Sequence, residues 1–327
     1  MTSSRLNAKA RAYMKTNPDV NYTEALEKVR GSGSAPRNNQ PLVPSIDQFF
    51  FTKSVEDAIA HYPEFRLLIG ESEDGTQVST PHLARSPHTL VVGGTGTGKT
   101  VLAGGFVQQF RAAGFQVYVS SEKYDAEAFY EMPNVADVGT GQDAARVVDT
   151  VSGIFKERYE KVGALRGAEK LAALKSEVPI ALVIDGAHIS VMDTRREEIR
   201  LLATLGREHR IHLVITSFDV YAKTIDPSLR DAIGNVIMMT PVSRITAIKV
   251  LESGNLVDEV TSRTEIGHAR LGFLKVWNME GDGVSVQKFV PYAIPSPVLG
   301  PHARSEHGTE LADMDALIEN RVADITR

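Results

Sequence analysis

Short runs of β-branched and aliphatic residues recur through the middle of the chain, and several are followed by stretches with helical spacing. Eight runs predict strands: Leu67–Ile69, Thr89–Val92, Gln116–Val119, Ala181–Ile184, His212–Thr216, Val236–Met239, Gly272–Trp277 and Val284–Phe289. Helical patterns over residues 98–113, 143–163, 194–209 and 243–252 separate several of them. Alternation at this spacing predicts an α/β domain with a mainly parallel sheet and helices on both faces. The last two runs are joined by Glu280-Gly281-Asp282-Gly283, which predicts a hairpin at the sheet edge.

Both ends of the chain break this pattern. Residues 1–45 carry seven Lys/Arg against three acids, net +4, and predict two short helices over 3–16 and 22–30. Asn17-Pro18-Asp19 is the turn between them, Asn21 or Thr23 caps the second, and Gly31 to Pro44 reads as a Gly/Ser/Pro linker. Residues 46–295 form the body. Residues 296–327 hold three Arg and six acids, net −3, with one helix expected from Glu310 to Ile325.

Composition narrows the function. With 42% apolar and 24% charged residues in 327, the chain has ordinary globular usage and enough apolar material for a core. It has no cysteine, which excludes a disulfide scaffold, thiol catalysis and cysteine-ligated zinc. A net charge of only −5 gives no overall attraction to nucleic acid, so any DNA contact needs a local basic patch. Met1 to Asn17 is polar, and no apolar stretch approaches the roughly 18 residues of a membrane-spanning helix. A cytoplasmic protein with no integral membrane segment is expected.

The strongest motif is Gly93-Gly94-Thr95-Gly96-Thr97-Gly98-Lys99-Thr100, a full match to G-x-x-x-x-G-K-[ST]. It follows the Thr89–Val92 run and opens a helical pattern, the context a phosphate-binding loop requires. Glycines let successive backbone N–H groups converge, and the helix N-terminus adds positive potential. In this reading all eight residues bind ATP, Lys99 reaches the β/γ-phosphates, and the Thr100 hydroxyl ligates Mg²⁺. A second Mg²⁺ acid belongs at the tip of a buried strand, and Asp185, closing Ile180-Ala181-Leu182-Val183-Ile184, is the Walker-B candidate.

Further segments resemble the FtsK/SpoIIIE family of DNA translocases, within the FtsK–HerA group, over about residues 66–250. Leu68-Ile69-Gly70, Asp74-Gly75 and Pro87-His88 resemble the family's approach to the P-loop. Lys123 is similar to its D-P-K lysine, and Glu157-Arg158-Tyr159 to its E-x-R-Y helix. Leu205-Gly206-Arg207 with Ile211-His212-Leu213-Val214, and Pro241-Val242-Ser243-Arg244, resemble two later segments. The resemblance implies a RecA-like ATPase that assembles as a ring, usually a hexamer, and drives duplex DNA through its pore. Lacking the membrane region and winged-helix module of chromosomal members, the chain fits a soluble single-motor form from a plasmid, integrative element or phage.

Two family features are missing. Gly186 follows Asp185 where the family has glutamate, and Phe218 in Thr216-Ser217-Phe218-Asp219 stands where the family has glutamine. Glycine cannot serve as a general base. Glu122 is a candidate replacement, since RecA-like recombinases carry their catalytic glutamate after the corresponding strand; an ordinary loop acid is the alternative. His188 and Asp219 are weaker candidates. Restoring the glutamate at Gly186 is expected to raise turnover if the site has kept its geometry. Arg207 is the candidate finger on a neighbour's nucleotide, or else a solvated helix arginine.

For DNA, Arg195 and Arg196 occupy the family's pore-side position, and Arg166, Lys170 and Lys175 form a second basic group; both are interleaved with glutamates. The basic N-terminal arm suits phosphates or a protein partner. Glu208, His209 and His212 straddle a helix–strand junction and make a poor metal site. Two functions remain: an ATP-driven duplex-DNA translocase, or a hydrolysis-impaired nucleotide-dependent assembly protein.

Overall fold

Every residue of Thr89-Leu90-Val91-Val92-Gly93 is buried, as befits a strand covered on both faces. In the computed structural model this strand lies inside a ten-stranded sheet. The structure describes residues 42–130, 132–186, 190–251, 256–261, 271–278, 283–296 and 308–325, all within one compact unit, Pro41–Arg327. The N-terminal helices and most of the linker expected from the sequence, and His188, lie outside the described residues.

The strands are β1 Leu68–Glu71, β2 Gln77–Ser79, β3 Thr89–Gly93, β4 Gln116–Ser121, β5 Val135–Thr140, β6 Ile180–Asp185, β7 Ile211–Ser217, β8 Asn235–Met239, β9 Gly272–Asn278 and β10 Gly283–Pro291. The described helices are α1 Val55–His61, α2 Lys99–Ala112, α3 Ala144–Gly163, α4 Gly167–Lys175, α5 Ser190–Thr194, α6 Arg196–Leu205, α7 Pro227–Ala232, α8 Arg244–Leu251, α9 Val257–Thr261 and α10 Gly308–Ile325. The sheet order is β2-β1-β10-β9-β8-β3-β7-β6-β4-β5. From β8 to β5 neighbours run parallel; from β9 to β2 they run antiparallel.

Alternate residues of each central strand feed opposite cores. Val91, Val183, Val214 and Ile237 pack with Phe106 and Phe110 of α2 and with Phe65 and Phe115. Leu90, Val92, Leu182, Ile184 and Ile215 face Val147, Val151 and Phe155 of α3 and Ile199 and Leu202 of α6. Helices therefore cover both faces, as the alternation of patterns predicts.

Three details differ from the sequence expectation. The β9–β10 hairpin is not at the edge: β1 pairs with β10 through Gly70↔Pro291 and Glu71↔Val290, and β2 lies beyond it. The three-residue β2 is too short to carry a period; it is set by the turn in which Thr76 N–H donates to Asp74 Oδ1 at 3.0 Å. The helical pattern over 194–209 divides into the end of α5, α6 and a 3₁₀ turn at Gly206–His209, because Arg195 leaves the helical region at φ −125°, ψ 28°.

The last described helix docks on the back of the phosphate-loop helix. Met314, Ile318 and Val322 recur every fourth residue on α10 and are buried with Leu68, Ala112, Tyr292 and Ile294. Beside them the fully buried Arg111 of α2 makes a two-pronged pair with Glu319, both bonds 2.8 Å. Its Nε donates to Pro133 O at 2.7 Å, and Nη1 also donates to Gln108. Removing one partner of such a pair leaves a buried charge without compensation. We expect Glu319→Ala to lower unfolding free energy by roughly 2–3 kcal/mol, below the roughly 3–5 kcal/mol of a fully buried pair because Glu319 is 37% exposed. Denaturant titration should also show Arg111→Met/Glu319→Leu recovering most of that loss; a double variant as unstable as the single one would contradict the balance.

At the opposite end of the central strands, His88 and His212 are completely buried. His88 Nδ1 accepts from Leu213 N–H at 3.1 Å, and His212 Nδ1 donates to Pro87 O at 3.0 Å. Burial pushes His88 down to about 3, with His212 adding to the effect, and pushes His212 down to about 4. Both imidazoles stay neutral in the folded chain, while the unfolded chain takes up protons near pH 6.5. Their contribution is complete above that pH and is lost as pH falls towards the folded values, by up to about 1.4 kcal/mol per pH unit for each ring. Melting temperature should therefore drop more steeply between pH 7 and 5 in the wild type than in His88→Asn; parallel profiles would show that His88 is not the acid-sensitive group.

Candidate functional site

The phosphate loop hangs between two strand ends. Gly94 N–H donates to Pro241 O at 3.2 Å, tying the loop to the exit of β8. Gly96 at φ 76° and Gly98 at φ 96° adopt the left-handed backbone that glycine tolerates, and Gly98 leads directly into α2. Lys99 Nζ and Thr97 Oγ1 each donate to Gly94 O at 2.9 Å. The Lys99 ammonium is thus held over the loop, 5.9 Å from the Phe218 ring centroid. Burial lowers its pKa, the nearby Lys123 adds to this, and Asp185 partly opposes both.

Strand order explains the next contact. β7 lies between β3 and β6, so Thr216 at its end is beside Asp185 at the end of β6. Thr216 Oγ1 donates to Asp185 Oδ1 at 2.6 Å and accepts from Gly186 N–H at 2.8 Å. Thr100 Oγ1, on the first turn of α2, approaches Asp185 Oδ2 at 3.0 Å. The structure thereby brings Thr100 and Asp185, read from the sequence 85 residues apart, into contact. Their hydroxyl and carboxylate are hard oxygen donors, the class Mg²⁺ prefers. Behind them a small cleft is walled by Ala103, Val107, Val119, Phe129 and Val183, a low-dielectric backing that strengthens charge interactions in front.

Other candidates have different surroundings. Glu122 Oε1 accepts from Ser190 N–H and Ser190 Oγ, both at 3.0 Å, so this carboxylate holds the segment after β6. Asp219 accepts from Tyr221 N–H at 3.0 Å within its own turn. Arg207 is exposed on the turn before β7. β7 runs from Ile211 to Ser217, which at about 3.3 Å per residue puts Arg207 roughly 20 Å from the P-loop of its own chain. Arg195 pairs with Asp149 at 2.5 Å and Arg196 with Asp193 at 3.0 Å, so both candidate DNA contacts are charge-compensated. Arg166, Lys170 and Lys175 are exposed on and before α4. His209 faces Glu177 at 3.1 Å, and no cluster of three potential metal-ligating side chains occurs among the described residues.

One residue of the site escapes a reading of motifs, and another has contacts that no motif gives. Thr216 looks like an ordinary β-branched strand residue, and only the β6–β7 register reveals its role. Lys123, noted in the sequence for its family likeness, brings its ammonium to 3.0 Å from Thr100 Oγ1 and 3.8 Å from Asp185 Oδ2.

No protein-family profile and no curated protein sequence matches the chain. Solved structures do. The cytoplasmic domain of the type VII secretion ATPase EccC of Thermomonospora curvata aligns with a TM-score of 0.56 at 17% identity over 71% of this chain and 29% of its own. EssC (ATPases 2 and 3) from Geobacillus thermodenitrificans gives 0.58 at 13% identity over 88% of this chain and 53% of its own. The pCW3 conjugation coupling protein TcpA, in a monomer form with ATPγS, gives 0.57 at 18% identity over 88% of this chain and 76% of its own. The fold is the RecA-like ATPase fold. The α/β class and mainly parallel sheet expected from the sequence are borne out. This chain spans only part of the EccC and EssC chains. Among the described residues no helix is long and apolar enough to cross a membrane.

Gly186 revises one expectation. Its φ of 81° lies in the left-handed region, where a side chain costs about 1–2 kcal/mol, and its N–H is committed to Thr216. A glutamate placed there would not inherit the backbone needed to aim it. We therefore expect Gly186→Glu to leave ATP turnover no higher than wild type, and Gly186→Ala and Gly186→Glu to lose similar stability in thermal melts. A clear rise in turnover would show that the segment relaxes around the new side chain.

Proposed function

We propose that the chain is a Mg·ATP-dependent motor of the FtsK/SpoIIIE type that acts on duplex DNA as a homo-oligomeric ring, usually a hexamer in the resembled family. The observation that carries this reading is the Thr100–Asp185 contact at 3.0 Å beside an intact phosphate loop. In this reading the loop N–H groups and Lys99 bind the ATP phosphates, and Thr100 and Asp185 hold Mg²⁺, which would neutralise phosphate charge. Lys99 contributes a cation that is already partly desolvated and aimed across the loop. Thr216 fixes the Asp185 carboxylate by donating to one of its oxygens.

In a ring, Arg207, too far from its own P-loop to serve it, would be the finger on a neighbour's nucleotide, where it would stabilise developing charge. Exposed apolar side chains near the phosphate loop, Phe218 at 47% and Ile245 and Ile248 of α8 at 52% and 51%, suit the other half of such a contact. With Arg195 and Arg196 paired internally, the exposed Arg166, Lys170 and Lys175 are the better DNA candidates.

A second reading has its own support. Gly186 cannot act as a base, Phe218 stands beside Lys99, and Glu122 is occupied at Ser190. These features favour a nucleotide-dependent assembly protein with slow turnover. One experiment separates the two: ATP binding by calorimetry and steady-state ATPase with and without duplex DNA. The motor reading expects binding that Lys99→Ala abolishes, and turnover that duplex DNA raises about tenfold or more, a small share of what correct positioning of reacting groups can supply. Binding with turnover indifferent to DNA supports the assembly protein. Equal ATP affinity in wild type and Lys99→Ala rejects both.

A further inference from the structure

Lys123 has no part in the phosphate-loop motif, yet its ammonium touches both groups assigned to Mg²⁺. It lies 3.0 Å from Thr100 Oγ1, near enough for a hydrogen bond, and 3.8 Å from Asp185 Oδ2, near enough for an ion pair. The contact is built by the fold. Ser121 closes β4 opposite Asp185 of β6 in the parallel register, so Lys123, two residues on, emerges beside the carboxylate. Lys123 N–H donates to Ser121 Oγ at 3.1 Å, which fixes the backbone from which the side chain returns to the site. The side chain remains 47% exposed and has room to swing away. Thr216 meanwhile holds Asp185 Oδ1, which Thr100 approaches only at 3.3 Å, and Oδ2 is shared by Thr100 and Lys123.

We propose that Lys123 is an internal counter-cation that a divalent ion must displace from Thr100 and Asp185 before Mg·ATP can be held productively. The inference rests on the P-loop reading above and adds to it a residue that sets the site's dependence on divalent metal. Lysine suits the role, being a compact point charge on a flexible stem. The displaced ammonium starts beside the phosphate loop: Lys123 Nζ lies on Thr100 Oγ1 and Lys99 Nζ on Gly94 O, at 3.0 and 2.9 Å. Lys123 therefore has opposite effects on two ligands. It competes with the divalent ion, and it supports a polyphosphate bound without one.

The sizes follow from charge. Two unit charges about 4 Å apart in a water-like medium alter an equilibrium by roughly fivefold, and a doubly charged ion squares that factor to roughly thirtyfold. The test uses the full chain and a non-hydrolysable ATP analogue. Calorimetry in EDTA measures metal-free nucleotide affinity, and Mn²⁺ titration of the protein–analogue complex by electron paramagnetic resonance measures divalent affinity. Lys123→Ala should bind Mn²⁺ about tenfold or more tightly than wild type and bind the analogue in EDTA about fivefold more weakly. Lys123→Arg, which keeps the charge, should remain within about threefold of wild type in both. An Mn²⁺ affinity in Lys123→Ala that is unchanged or weaker overturns the inference while leaving the P-loop reading intact; a variant damaged in fold weakens both affinities and counts against the inference in the same way. A wild type that binds no analogue with or without metal overturns the P-loop reading, and this inference with it.

Discussion

Asp185 is the point on which the site depends. One carboxylate oxygen is held by Thr216 of β7, and the other faces Thr100 of α2 and Lys123 beyond β4. Three segments far apart in sequence thus converge on one buried acid. They converge because β7 is inserted between the strand that launches the phosphate loop and the strand that ends in the acid. Without that intervening strand, the phosphate loop and Asp185 would belong to adjacent strand ends and Thr216 would have no place between them. The sheet order is the constraint that gives the site its width, and the apolar wall behind it keeps the electrostatics strong.

Much of the scaffold is legible in the sequence. Strands such as β3, β6 and β7 are rich in consecutive aliphatic residues and buried at every position, which is how parallel strands covered on both faces read. Gly-rich loop chemistry locates the phosphate site, and the polar tip of β6 locates Asp185. What escapes is encoded by register. β2 has three residues and no usable period, and β5 mixes exposed and buried positions through Val135–Thr140. Thr216 carries no signal of its own in the sequence, because its function exists only opposite Asp185. The partner of Arg195 escapes for a related reason. Asp149 lies on α3, 46 residues before Arg195, and no local pattern announces the pair.

The departures around Asp185 form a connected set. A glycine at φ 81° turns the chain sharply after β6, its N–H is satisfied by Thr216, and the next described residue, Ser190, is held by Glu122. Glu122, the candidate base of the sequence, is thereby a structural tie. Its Oε1 is engaged by Ser190, so Ser190 is tied to the end of β4 through this one side chain.

The pairing of β3 carries a kinetic consequence. Its parallel neighbours β7 and β8 begin more than a hundred residues downstream, and the Pro87–His212 and His88–Leu213 bonds that brace its start each span 125 residues. During synthesis the glycine loop leaves the ribosome early, with its cradle still untranslated. Until β7 and β8 have emerged, β3 has no partner on either side, and its apolar run is exposed to chaperones and to other nascent chains. Distant pairings of this kind close slowly, because long loops must be ordered before any contact rewards them. The nucleotide site is therefore a late product of folding. A ligand held by the phosphate loop would stabilise only chains in which the far half of the sheet has already formed.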